Sequence, residues 1–309
     1  MIISAGMRTD IPAFFSEWFY NRIREGFVCV RNPYYPEQVT RYRLTPDVVD
    51  CINFCTKNPQ PMETRLNEIG HFHQFWSVTI TPYGRDIEPY VPDKAKVIAS
   101  FQRISQKVGA HTMSWRYDPI FISDKYNVDF HIESFEKMAA QLTGYTDQCV
   151  ISFIDLYLKT RRNFPQAREV SKSDQLLLGI AFAEIGQKYD IRIRSCCEGT
   201  ALAPYGVDTS GCLTQPVLER AIGESLDVPK SKKSQRTECN CLLGSDIGAY
   251  NTCAHGCIYC YANFNQELVR QNLALHDPHS PFLIGNTRAN DIFKEAKQES
   301  YLDSQLSLF

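Results

Sequence analysis

Up to about residue 195 the chain alternates short β-rich runs with amphipathic stretches, and this alternation restricts the fold more than any other feature. Candidate strands lie at 1–5, 27–30, 49–55, 75–80, 112–117, 150–155 and 191–195. Between them, Lys94–Val108 carries Val97, Ile98, Phe101, Ile104 and Val108 at helical intervals. Residues 132–142 and 175–189 behave in the same way, the latter through Leu176, Leu177, Ile180, Ala181 and Ile185. Pro92 and Asp93 fit a helix start. Strands apolar on both faces, alternating with helices, predict an α/β fold with a parallel sheet covered by helices. In such a sheet ligands gather beyond the C-terminal ends of the strands. Polar or loop-forming groups stand at four of those ends: Arg8, Thr9 and Asp10 before Pro12; Thr56, Lys57 and Asn58 before Pro59; Thr79 and Thr81 before Pro82; and Arg116 and Asp118 before Pro119. A fifth strand ends in Asp155, followed by Tyr157. Each group taken alone is ordinary loop punctuation; their convergence is what points to a site.

After residue 199 the pattern changes. A loop at 199–211 and a short helix at 215–223 lead into the polar, basic stretch 227–236. A cysteine-rich segment at 239–260, a helix at 262–275 and a tail follow. The expected organisation is an α/β body over 1–226, a linker over 227–238, and a cluster-binding segment over 239–309 that completes the fold. Residues 301–309 are expected to be loosely ordered unless docked. The basic run Lys230–Arg236 reads first as solvated surface and second as a nucleic-acid contact.

Of 309 residues, 43% are hydrophobic and 22% charged, which suits a globular protein with one large core. The formal net charge of −2 argues against a broadly basic nucleic-acid footprint, so no nucleic-acid partner is expected. No stretch approaches the roughly 20 apolar residues needed to cross a bilayer. The opening MIISAGMRTD has no basic run followed by a long apolar one, so no secretory signal is expected. Twelve cysteines in that setting read as reduced thiols, either metal ligands or small core side chains, in a cytoplasmic protein.

Three of those cysteines, Cys253, Cys257 and Cys260, are spaced C-x3-C-x2-C, with Tyr259 just before the last. Three thiolates can hold three irons of a [4Fe–4S] cube and leave the fourth iron open, where four would close the site. An open iron that chelates the amino and carboxylate groups of S-adenosylmethionine is the arrangement of radical-SAM enzymes, which this loop resembles. The competing reading is zinc, since structural zinc sites complete four ligands and His255 inside the loop offers one. The other cysteines divide by context. Cys29, Cys51, Cys55, Cys149 and Cys196 sit in or beside apolar strands and read as core. Cys197, Cys212, Cys239 and Cys241 fall in polar loops, and together they would close a second iron–sulfur cluster or a zinc site.

Beyond the loop, Cys239, Cys241, Ser245 through Asn251 and the run from Cys253 to Asn263 resemble the bacterial family called domain of unknown function 1848 (DUF1848). Ile2 through Ala5, Arg8 through Pro12, Thr56 through Pro59 and the terminal Leu308 and Phe309 match the same family. It is an uncharacterised family with a C-terminal cysteine cluster like the N-terminal one of radical-SAM proteins. Where many relatives would be expected to read Ser-Arg-Arg-Thr-Asp, this chain has Ala5, Gly6, Met7, Arg8, Thr9 and Asp10, which weakens any role for a basic group at position 7. A fainter similarity, carried by Thr9 to Pro12, Thr56 to Asn58, Val78 to Thr81 and Arg116 to Ile120, is to spore photoproduct lyase and its relatives. In those proteins the cysteine loop precedes these strands; here it follows them.

The resemblance implies a partial (β/α) TIM-like barrel of the radical-SAM type, circularly permuted, in which residues 242–251 insert beside Ile2–Ala5. It implies a [4Fe–4S] cluster on Cys253, Cys257 and Cys260, S-adenosylmethionine as a second cofactor, and an electron donor such as a ferredoxin or flavodoxin. By the same analogy Tyr259 would contact adenine. Asp10 would meet the cofactor's amino group, Lys57 or Arg116 its carboxylate, and Asn58, Ser77 and Thr79 its ribose or carboxylate. Gly256 would let the loop wrap the cluster, and Glu198 is a candidate for acid–base work or backbone capping. The rival reading is a non-catalytic zinc or iron–sulfur binding module, with nucleic-acid association through Lys230–Arg236 as one form of it.

Overall fold

The computed structural model describes residues 1–156, 158–229, 240–242 and 244–302. Cys239, Tyr157, the basic run and the terminal Leu308 and Phe309 singled out from the sequence lie outside these described residues. In chain order the elements are β1 (Ile2–Ala5), α1 (Ile11–Phe14), α2 (Ser16–Glu25), β2 (Phe27–Arg31), β3 (Gln38–Arg43), β4 (Cys51–Thr56), β5 (Gln74–Thr79), α3 (Lys94–Val108) and β6 (Met113–Ile120). There follow α4 (Val128–Leu142), β7 (Gln148–Phe153), α5 (Leu158–Asn163), α6 (Lys172–Lys188), β8 (Arg192–Ser195), α7 (Gln215–Ile222), β9 (Ser245–Asp246), α8 (Gln266–Ala274) and β10 (Ile292–Glu295). Side-chain caps start the main helices: Asp93 accepts from the Ala95 N–H at α3, Asn127 from Phe130 at α4, and Ser171 from Asp174 at α6. Among the described residues no helix is long and apolar enough to cross a membrane.

Seven strands form one sheet in the order β8-β7-β6-β5-β4-β1-β9, and all its pairings are parallel. The α/β class with a parallel, helix-flanked sheet is therefore as expected. The adjacency expected between residues 242–251 and Ile2–Ala5 is present as well. β9 pairs with β1 through Ile3 with Ser245 and Ser4 with Asp246, and the Ile247 N–H donates to the Ser4 carbonyl at 3.0 Å. One strand needs correction. Residues 27–30, expected among the main strands, belong to a separate three-stranded sheet in which β2 runs antiparallel to β3, with β10 on β3's other edge. β3 reads Gln-Val-Thr-Arg-Tyr-Arg and β10 is exposed throughout, so neither carried an apolar run to reveal it.

The main sheet's two faces differ. Because side chains alternate along a strand, Ile3, Ile52, Phe54, Trp76, Trp115, Ile151 and Ile193 share one face. They pack there with Phe101 of α3, Phe135 of α4 and Phe182 of α6 in the principal core. Trp115 stacks on Phe135 at 4.6 Å and Phe135 on Phe182 at 4.0 Å. The opposite face begins apolar, with Ile2, Cys51 and Phe75 packed against Val217 and Leu218 of α7. It turns polar toward the C-terminal ends, where the alternation brings up Ser4, Asn53, Cys55, Ser77, Arg116, Ser152 and Arg194. Asn53 Nδ2 donates to Ser4 Oγ and Ser77 Oγ to Asn53 Oδ1, each at 3.3 Å, so a hydrogen-bonded chain crosses three strands. The tail is docked at its start: the Tyr301 N–H donates to Asp50 Oδ2 at 2.9 Å and Leu302 bridges to Leu226.

Candidate metal centres

The cysteine loop leaves the C-terminal end of β9 and is sewn by its backbone to the segment after β5. Tyr90 N–H donates to the His255 carbonyl and Ile258 N–H to the Ile87 carbonyl, both at 3.1 Å. Gly256 adopts φ +70, and a Cβ there would stand 2.9 Å from the Tyr90 ring, so this turn of the loop requires glycine. Asn263 Nδ2 donates to the Cys253 carbonyl at 2.7 Å and closes the loop's base. Cys257 is buried, and Cys253 and Cys260 are partly exposed. The sulfurs are near enough to act on one another, but they are not a compact group. Among the described residues, the three side chains of His, Cys, Asp or Glu whose ligand atoms all lie within 4.8 Å of one another are found elsewhere, at Cys196, Cys212 and Cys241. Thiolates on different irons of one cube stand further apart than ligands of a single ion, so the wider spacing suits a cluster. His255 is occupied: its Nε2 meets Asp10 Oδ2 at 2.8 Å.

Beneath the loop lies a charged knot that the sequence did not reveal. Glu88 is 1% exposed, and Lys57, Lys94, Thr81 and Tyr259 all converge on its carboxylate. Lys57 Nζ and Thr81 Oγ1 each lie 2.8 Å from Oε1. Burial by itself would raise the Glu88 pKa; the two ammonium groups outweigh burial and hold it at about 2. Two lysines around one carboxylate leave an excess of positive charge next to Cys257. Burial pushes the Cys257 thiol up to about 12, and Lys57 works against that rise. Glu88 was missed because it sits in an aperiodic segment, where a lone acid carries no pattern.

The expected cofactor-binding residues separate into two groups. Asp10, Lys57 and Tyr259 gather beneath the loop. Asp10 was expected to meet a cofactor amino group, but both its oxygens are engaged within the protein. Oδ1 accepts from the Ala13 N–H at 3.1 Å, and Oδ2 accepts from the Lys57 N–H at 2.8 Å and meets His255. Tyr259 donates to Glu88, lies 6.2 Å from the Tyr83 ring, and carries Lys57 Nζ 5.6 Å above its face. Asn58 follows directly, its N–H donating to Thr56 Oγ1 at 2.9 Å. Ser77, Thr79 and Arg116 belong to the polar side of the sheet. Ser77 is held by Asn53, Thr79 ends β5 in register with Arg116, and Arg116 pairs with Asp118. The Arg116 charge also acts on Cys55, Cys196 and Cys212, which directs it toward the second cysteine group.

That second group differs in membership from the expected set. Cys212 Sγ lies 3.4 Å from both Cys196 Sγ and Cys241 Sγ, and the trio could hold a metal ion or cluster. Cys196, read from the sequence as core, takes the place expected for Cys197. The alternation of β8 explains the exchange: Arg194 and Cys196 fall on one face, and Cys197 is one step out of phase, with φ 60. Hydrogen bonds from Cys196 and Cys241, helped by Arg116, pull the Cys212 thiol below its usual pKa despite burial. Nearby, Glu198 Oε1 accepts from Ser152 Oγ and from the Phe153 N–H, both at 2.8 Å, and burial raises its pKa to about 7.

A parallel α/β sheet with one cysteine loop at the C-terminal end of an edge strand and a second thiol group on its polar face defines the class. More narrowly, the chain belongs to the family described as Domain of unknown function (DUF1848), whose model matches residues 2–262 and so spans β1 through β9 and the whole cysteine loop. No curated protein matches the chain.

Proposed function

We propose that the chain is a radical-SAM-type iron–sulfur enzyme, with a [4Fe–4S] cluster on Cys253, Cys257 and Cys260 and S-adenosylmethionine at the open iron. The observation that carries this reading is the seat of the loop. Its three sulfurs, spaced more widely than the ligands of one ion, lie at the C-terminal end of a strand in a parallel sheet, over an excess of positive charge. The polar side of the sheet and the placement of α3, α4 and α6 beside the opposite face support an open, circularly permuted (β/α) barrel, with β9 standing beside β1. Buried polar atoms around the loop, Thr9 Oγ1, His255 Nδ1 and Asn263 Oδ1, have no hydrogen-bond partner among the described residues, which suits a neighbourhood built for a bound group.

When bound, the cluster and S-adenosylmethionine supply reductive cleavage of a carbon–sulfur bond and hence a 5′-deoxyadenosyl radical. The chain's own residues orient and shield. Lys57 and Lys94 balance the negative charge that three thiolates bring. Glu88 fixes both ammonium groups and the Tyr259 hydroxyl, so the Tyr259 ring stands rigid beside Cys260. Asp10 caps α1, holds the start of the segment after β4, and orients His255 inside the loop. The test is anaerobic reconstitution with iron and sulfide, reduction with dithionite and addition of S-adenosylmethionine. The expected products are 5′-deoxyadenosine and methionine. Protein that takes up zinc at the loop and yields neither product supports the binding-module reading instead.

A further inference from the structure

The structure assigns a second, separate site: Cys196, Cys212 and Cys241 hold a single zinc ion that staples the segment leading into β9 onto the body of the sheet. Sulfurs bound tetrahedrally to one zinc at about 2.3 Å stand about 3.8 Å apart. Here two of the separations are 3.4 Å and all three sulfurs lie within 4.8 Å of one another. That is the geometry of one ion, and it contrasts with the wider-set loop cysteines.

The surroundings fit thiolate ligands. The Leu213 N–H donates to Cys241 Sγ at 3.3 Å, the kind of backbone contact that orients a metal-bound sulfur. Gly211, at φ +116, passes so close that a Cβ would meet the same sulfur at 3.3 Å, so the turn is shaped around the thiol. Arg116 places its guanidinium charge beside Cys196 and Cys212, where a zinc ion with three thiolates carries net negative charge.

The three ligands come from three distant stretches: the end of β8, the loop before α7, and the residues just ahead of β9. Among the described residues, 240–242 is tied to the rest by the Leu242 N–H bond to the Leu213 carbonyl at 2.8 Å and by the burial of Cys241 and Leu242 in the smaller apolar cluster. A metal joining all three fixes the strand from which the cysteine loop departs. This role does not depend on the chemistry at that loop.

The experiment uses the full chain and its Cys257→Ala variant, which lacks a ligand of the loop cluster. Zinc, iron and acid-labile sulfide are measured in each after purification. The expected result is about one zinc per chain in Cys257→Ala, without iron or sulfide, and loss of that zinc in Cys196→Ser and in Cys241→Ser. Cobalt(II) exchanged into the unsubstituted protein should give thiolate-to-metal charge-transfer and tetrahedral d–d bands, a readout that survives if the serine variants fail to fold. Removing the zinc with a chelator should lower Tm. Iron and sulfide retained in Cys257→Ala would overturn the proposal in favour of an auxiliary cluster. Protein without metal whose three thiols are free or oxidised, and which gives no cobalt bands, would overturn it outright.

Discussion

The two cysteine groups of this molecule flank one sheet and share a residue type, but they are built differently. The loop group comes from eight consecutive residues, is held by backbone bonds to the 84–91 segment, and rests on a knot of ions. The second group is assembled from positions 196, 212 and 241, with sulfurs in contact. A contiguous loop can wrap a large inorganic cube, because its own peptide groups line the cavity. Three sulfurs gathered from distant segments into contact suit the single ion proposed for them. The comparison teaches that sulfur spacing, more than cysteine count, distinguishes the two groups and underlies the different occupants proposed for them.

The sharpest way to break that contrast is Cys257→Ala. It should abolish formation of 5′-deoxyadenosine while leaving the metal content of the second group unchanged; loss of metal at both groups would show them to be one site. Next in size is Glu88→Gln, which leaves Lys57 and Lys94 facing each other without a counter-charge. Breaking a buried ion pair costs roughly 3–5 kcal/mol. Urea denaturation should register a loss of that order, along with weaker iron retention at the loop and unchanged metal at the second group.

A third prediction concerns neither group and serves as the control. His131 is fully buried; its Nε2 donates to the Phe121 carbonyl at 2.9 Å, so Nδ1 accepts from the Tyr117 hydroxyl. Burial lowers its pKa from 6.5 to about 4. The unfolded chain therefore binds a proton as pH falls through 6.5, while the folded chain does not until about 4. Stability attributable to His131 is complete above the higher value and shrinks progressively toward the lower, by about 3 kcal/mol in all. Denaturation midpoints measured between pH 7 and 4.5 should show this decline, and His131→Gln should flatten it. The smallest effect is expected for Tyr259→Phe, which keeps the ring and removes one hydrogen bond to a charged group. A stability loss of about 1.5–3 kcal/mol, with metal at both groups intact, is expected from denaturation and metal analysis.

Much of the fold was legible in the sequence because the parallel strands are apolar enough to stand out and the helices between them carry clear stripes. The placement of 242–251 beside β1 was legible through order: a resemblance whose cysteine loop comes last requires the strand before it to join the sheet at its open edge. What escaped notice had no periodic signature. β3 is a mostly polar, partly exposed strand, and β10 is a short strand exposed throughout. Glu88 acquires its meaning from Lys57 and Lys94, which lie 31 and 6 residues away and meet it only in the folded chain. The exchange of Cys197 for Cys196 turned on strand phase just past the last residue of β8, where one step reverses the face. Arg116 and Asp10 were readable as strand-end polar groups, but their partners, Asp118 and the cysteines for one and the α1 cap and His255 for the other, are fixed by tertiary packing.

The central claim is that the loop's cluster keeps one iron free of protein ligands, and electron paramagnetic resonance of the reduced, reconstituted protein tests it most directly. With S-adenosylmethionine added, the account predicts that the cluster's spectrum changes, because the cofactor binds the open iron. A fully loaded cluster whose spectrum is identical with and without the cofactor would contradict it.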